Sequence, residues 1–302
     1  PPQAGTPIRP DLPIQERIPL AEQANGLTKR LAALETEKEA AREAANKARL
    51  ATDRLIANQR KSQGDPGEFA AKLSKLEEEE KKANRKFLDL MKGMKGQAQT
   101  VLKELDAKQA FPFAHDGVDD LARVSGTSAE EAIKWLGQKV EQTPGAPAKP
   151  ITVNWKSIPK NEDQRAYAYK YSSSIHLVDS DPTSTAAHEL GHHLEYHVPG
   201  VQKAAEEFLE HRVGNEPLAK LNTLKGGEGY EEWEYGREDQ FGKAFPKGLE
   251  RYYVGKKASA NSTEIVSMGV EKLYEDPVGF ATADPEYCTF ILGILNGTLR
   301  SP

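Results

Sequence analysis

Residues 14–105 are rich in alanine, glutamate, lysine and leucine and hold few aromatics, and this run constrains the fold more than any other feature of the chain. Leu27, Leu31, Leu34, Ala41, Ala45, Ala48 and Leu55 fall on alternating spacings of three and four. Phe69, Leu73, Leu76, Ala83, Phe87, Leu90 and Met94 do the same. Side chains so spaced share one helix face, so each stretch reads as a long helix with a narrow apolar seam. Gly64-Asp65-Pro66-Gly67 interrupts the pattern and predicts an antiparallel helical hairpin. Seams built largely of alanine allow close approach but bury little area, so the hairpin is expected to need a partner surface. The run from Glu77 to Lys82 is mixed in sign and suits a solvated face.

The remainder has a different texture. A helix is expected at 129–140, capped by Thr127 or Ser128, and residues 141–150 read as a loop rich in proline and glycine. Extended segments follow at 151–155, 166–171 and 174–178, and mostly helical patterns run from there to the end. With 302 residues there is room for two domains. The expected division is a disordered tail at 1–13, a coiled-coil-like hairpin at 14–110 and an α+β domain at 111–302.

Chemistry concentrates at His188-Glu189-Leu190-Gly191-His192, an H-E-x-x-H motif. On a helix, positions i and i+4 lie on one face, so both imidazoles can address one metal ion. Glu189 then lies where a carboxylate can take a proton from a bound water. Asp181-Pro182 supplies a start signal for the helix, and its flanks carry no formal charge from Thr185 to Ala187 or at His193 and Leu194. The alternative is an amphipathic helix that packs on a core and holds no ion.

A catalytic zinc site uses three protein ligands. The three-histidine extension H-E-x-x-H-x-x-G-x-x-H fails here, because Glu195 and Val198 stand at its glycine and last histidine. The stronger candidate is Glu264, in Asn261-Ser262-Thr263-Glu264-Ile265-Val266-Ser267, at the start of a helix with an apolar side. Asn261 and Glu264 also approximate a capping box, which gives Glu264 a purely structural alternative. Glu271 and Asp239 are the fallback ligands.

Through His188, Glu189, His192 and Glu264 the chain resembles the gluzincin zinc metallopeptidases. Residues 263–269 with Asp284-Pro285-Glu286-Tyr287 also resemble H-E-x-x-H domains of phage-derived and toxin-like bacterial proteins, over about the last hundred residues. The resemblance implies a zincin-like domain holding Zn2+ on His188, His192 and Glu264, with Glu189 as base and a protein or peptide as substrate. Glu264 follows His192 by 72 residues, farther than in thermolysin-like enzymes, so an insertion must separate the two helices. A tyrosine ahead of the glutamate ligand supports the oxyanion in several gluzincins, and here Tyr252 and Tyr253 both qualify. His211 is a further candidate donor. In such a fold a strand at the sheet edge pairs with extended substrate, for which residues 173–178 are the natural choice. His176 in that strand could face the cleft, whereas His193 and His197 read as structural.

Between the two helices, residues 226–236 combine glycine, aromatics and carboxylates, which reads either as a flap favouring basic or polar substrate side chains or as an exposed acidic loop. The competing reading of the whole chain is an interaction protein, whose hairpin binds a partner and whose zinc site is vestigial or stabilising. A net charge of −5 without a basic patch among aromatics argues against nucleic acid, and no membrane-spanning run is present. A lone cysteine, Cys288, excludes an intrachain disulfide and suits either the cytoplasm or delivery outside it without disulfides. With proline at position 1, the sequence is expected to start inside a longer protein.

Overall fold

The computed structural model describes residues 5–59, 65–107, 111–115, 123–143, 151–158, 165–171, 173–178, 181–240, 242–245, 248–256 and 262–302. Helices α1 (Ile14–Asn25), α2 (Leu27–Gln59) and α3 (Pro66–Leu102) come first, then β1 (Phe113–His115), α4 (Arg123–Lys139), β2 (Ile151–Ile158), β3 (Tyr167–Tyr169) and β4 (Ser174–Val178). After these come α5 (Thr183–His197), α6 (Val201–Val213), β5 (Leu218–Lys220), β6 (Tyr235–Arg237), α7 (Leu249–Tyr253), α8 (Ile265–Glu275), α9 (Pro277–Ala283) and α10 (Pro285–Leu295). The fold is mostly helical with a small sheet, an α+β arrangement. Among the described residues, no helix is long and apolar enough to cross a membrane.

Two compact units divide the chain, Arg30–Val101 in one and Pro1–Lys29 with Leu102–Pro302 in the other. In the first, the expected seam is visible as exposure. Phe69, Leu73, Leu76, Ala83, Phe87, Leu90 and Met94 are half-buried, and no residue of α3 from Pro66 to Gln97 is buried. On α2, Ala41, Ala45 and Thr52 are buried. The start of the expected hairpin turn, Gly64, lies outside the described residues.

The division differs from the one expected at residue 14. Gly26 ends α1 in the left-handed region (φ 62°), and α1 sends Ile14, Ile18 and Ala21 into the core of the larger unit against α10 and α6. Arg17 is buried there, donating to the carbonyls of Ile8 and Arg300 and to Ser301 Oγ. The described part of the expected disordered tail is likewise held, since Gly5 N–H and Ile8 N–H donate to Asn296 and Thr298 carbonyls at 2.8 Å. Local periodicity records that α1 is a helix but not which core it joins.

The four-stranded sheet has the order β1-β2-β4-β3. β1 and β4 run parallel to β2, and β3 runs antiparallel to β4. β4 is therefore internal, and the edge strand on the side of α5 is β3, a correction to the expected edge at 173–178. Hydrophobic alternation identifies a strand but not its neighbours. α4 begins earlier than expected, with Thr127 and Ser128 inside it. Asp181 does not cap α5, whose N-cap is Pro182; its Oδ2 instead accepts from Val178 N–H at 2.7 Å, at the end of β4.

α5 lies at the centre of the larger unit, packed on α8, α4, α6, β3 and β4. Ala186, Ala187, Leu190 and Leu194 fill its buried face. α10, capped by the Asp284 side chain on Tyr287 N–H, is buried from Tyr287 to Leu295 and mostly apolar there, as suits a helix inside a core, with the Thr289 hydroxyl paired to Thr28.

Candidate metal centre

His188 and His192 stand one turn apart on α5 with ring centroids 5.2 Å apart, on the side that meets α8. The two helices approach closely because position 191 is glycine: a Cβ there would lie 2.6 Å from Ser267 Cα. Glu264 immediately precedes α8 as its N-cap residue, one position before the first turn where it was expected. Its Oε2 lies 3.4 Å from His188 Nε2 and 3.3 Å from His192 Nε2. The three residues offer ligand atoms all within 4.8 Å of one another. As the N-cap of α8, Glu264 makes no side-chain cap bond to that helix, and Ile265 N–H donates to Thr263 Oγ1. Asn261, the expected cap, lies outside the described residues.

Of the fallback ligands, Glu271 touches the site from behind: His188 Nδ1 donates to its Oε2 at 2.9 Å. That bond fixes the ring and leaves Nε2 as the ligand nitrogen. Asp239 belongs elsewhere. It is buried against Arg212, which also binds Asp284 and so ties α6 to the start of α10. His192 Nδ1 is buried without a partner among the described residues, and its ring stacks near Tyr196.

Burial opposes charge on His188, but hydrogen bonds to Glu264 and Glu271 outweigh it and raise its pKa well above the ordinary imidazole value. His192 is raised too, attraction to Glu264 overcoming burial. Burial would raise Glu264, yet the two imidazoles hold it well below the usual carboxylate range. Two nitrogens and a carboxylate oxygen gathered within 4.8 Å of one another, with one ring already oriented from its far nitrogen, fit a divalent cation. The donor set by itself does not select zinc among such ions.

Glu189 lies on the same helix and is only 5% exposed; burial raises its pKa, opposed by His188 and His192. The two candidate tyrosines separate. Tyr253 is half-buried, and burial, then the negative charge of Glu264 and Glu189, pushes its pKa well up. Tyr252 instead donates to Glu238 at 3.1 Å. His211 pairs with Glu286 and lies outside the site. His193 Nε2 meets the Ser174 carbonyl at 3.2 Å and binds α5 to β4, the structural role expected of it. His176 stacks on Tyr167 and bonds to Ser174 Oγ.

Sequence reasoning missed a polar chain that leads away from Glu264. Lys256 Nζ reaches Glu264 Oε1 at 3.4 Å and Glu234 Oε1 at 2.9 Å, while Arg165 binds Glu234 Oε2 at 3.0 Å. Arg165 also lies 4.2 Å over the Tyr230 ring, which meets Tyr253 edge-on at 5.5 Å. Residues 226–236 thus reach the candidate ligands through Tyr230 and Glu234, whereas Trp233 between them is exposed. The one hint in the sequence was the mixture of aromatics and carboxylates in this stretch. Also missed was Glu195, whose carboxylate accepts from Thr263 N–H and Oγ1 and whose pKa burial raises to about 7 against those bonds.

Comparison with known proteins adds no relative. The chain matches no family model, no curated protein and no solved structure. The assignment below therefore stands on residues and geometry.

Proposed function

We propose that this protein is a zinc-dependent endopeptidase of the gluzincin kind, with a zincin-like domain around α5, α8 and the sheet. The observation that carries the reading is the convergence of His188, His192 and Glu264, with Glu189 between the two histidines on α5. Zinc held by two imidazoles and a carboxylate would supply a Lewis acid, polarising a carbonyl and making water acidic enough to ionise near neutral pH.

The protein's own groups do the rest. Glu189 takes the proton from the attacking water and returns it to the departing amine, and its raised pKa suits a group that must do both. Tyr253, beside Glu264, donates its hydroxyl hydrogen to the oxygen on which negative charge develops. The edge of β3, the last strand of the sheet among the described residues, accepts an extended peptide in antiparallel pairing. Glu271 keeps His188 in register throughout.

Zinc stoichiometry and hydrolysis of a quenched peptide library, measured on wild type and Glu189→Gln, test the reading. The variant is expected to keep one zinc and lose about 10²–10⁴-fold in rate. Full zinc occupancy with unchanged hydrolysis would refute the mechanism.

A second reading concerns the helical arm. The half-buried seam of α3 and the exposure of Leu88 and Met91 favour a protein partner for residues 30–101. A pull-down with the full chain, lost when Leu88 and Met91 are both changed to Glu, would support it.

A further inference from the structure

Glu195 takes no part in the reaction proposed above, yet its side chain is only 2% exposed. A carboxylate buried so deeply is costly unless its oxygens are bonded. Both are committed to one residue: Oε2 accepts from Thr263 N–H at 2.7 Å and Oε1 from the Thr263 hydroxyl at 2.9 Å. Next along α5, the Tyr196 hydroxyl meets Ser262 Oγ at 3.2 Å. The two residues directly before Glu264 are thereby tied to two consecutive residues of α5, about one turn beyond His192. From the other side, Ser267 Oγ donates to Glu264 Oε2 at 3.1 Å, at the point where Gly191 lets the helices touch.

A ligand delivered 72 residues after its partners gains no preorganisation from the connecting chain, since closing so long a loop leaves its end free to sample many positions. Something local must place it. We propose that Glu195 is the positioning residue for the third metal ligand, a clasp that holds Thr263, and through it Glu264, against the motif helix. The inference rests on the metal site of the proposed function.

On this reading α5 alone carries two ligands, the base, the glycine that admits α8 and the clasp that locks the third ligand in place. The carboxylate is matched to the task because it accepts two bonds at once, from a backbone N–H that any residue offers and from a hydroxyl that only a few do. Thr263 Oγ1 in turn accepts from Ile265 N–H at 3.1 Å, so the same hydroxyl that is clasped also satisfies the first amide of α8. Position and helix start are set together.

The test is zinc affinity of the full chain, stripped with EDTA and titrated in competition with a chromophoric chelator. Loss of a partner behind a metal ligand weakens binding by about 10–100-fold. Thr263→Val, which keeps shape and loses the hydroxyl, is expected to fall in that range. Thr263→Ser should bind as wild type does, and Glu195→Gln, which keeps one acceptor, should lie between. Far-UV circular dichroism of the metal-free variants shows which are folded; if Thr263→Val is not, Glu195→Gln and Thr263→Ser carry the comparison. Wild-type affinity in folded Thr263→Val and Glu195→Gln overturns the clasp and leaves the metal site standing. Zinc binding that is absent from wild type, or undiminished by His188→Ala, overturns the metal site and the clasp with it.

Discussion

Tyr252 and Tyr253 are neighbours with the same chemistry, and only the turn of α7 distinguishes them: one hydroxyl donates to Glu238, while the other residue lies where Glu264 and Glu189 raise its pKa. Sequence could narrow the proposed oxyanion donor to this pair but not choose, because the choice depends on how a five-residue helix is rotated against a segment distant along the chain. Tyr253→Phe is expected to lower kcat by about 10²-fold or more, the typical cost of one oxyanion donor, with Tyr252→Phe within about twofold of wild type. Steady-state kinetics on a defined peptide decides; equal losses in both would remove Tyr253 from the reaction. Glu195 makes a pH prediction. Its pKa rises from 4.5 to about 7 on folding, so its contribution to stability is fully present below pH 4.5 and is lost as pH rises through about 7. That shift corresponds to roughly 3 kcal/mol. Denaturant unfolding of the metal-free protein between pH 4.5 and 8 should show the decline, and Glu195→Gln should flatten that part of the profile.

Elements were legible where a local signal marks their ends. Asp284-Pro285 fixed the start of α10, and alternation gave β4 its observed limits, Ser174–Val178. What the chain could not disclose was adjacency: that β4 is flanked on both sides, that α1 joins α10, and that a glycine inside the motif serves the crossing of α5 with α8. In the sequence Gly191 was one of the two free positions of H-E-x-x-H. In the structure it is where Ser267 passes, and a methyl group there would strike backbone rather than a side chain that can rotate away. Gly191→Ala is therefore expected to destabilise the protein by about 1–3 kcal/mol, the range for forcing an extra carbon into a packed core, despite alanine's better helix propensity. The same displacement moves Glu264 relative to His188 and His192, so zinc affinity should fall with stability. A denaturant midpoint at or above the wild-type value would show that the crossing tolerates a side chain.

At the scale of the molecule, composition predicted an arm and a domain, and two compact units are present, but the boundary lies at Arg30 rather than residue 14 because α1 belongs to the larger core. All three tryptophans, Trp135, Trp155 and Trp233, lie in the larger unit, and none lies between Arg30 and Val101. Tryptophan fluorescence therefore reports unfolding of the unit that carries the candidate metal centre, while far-UV circular dichroism also registers α2 and α3. A ligand that binds only the folded state at a hundred times its Kd stabilises it by about 2.7 kcal/mol, which for a unit of this size raises the midpoint by roughly 5–10 °C. Zinc is expected to move the fluorescence transition by that amount in wild type and not in His188→Ala, since the ligands come from α5 and the start of α8 and are gathered only in the folded chain. Helical signal lost outside that transition should keep its midpoint whether or not zinc is present, because no candidate ligand lies between Arg30 and Val101. A fluorescence transition indifferent to zinc would mean that the gathered imidazoles and carboxylate hold one another rather than an ion.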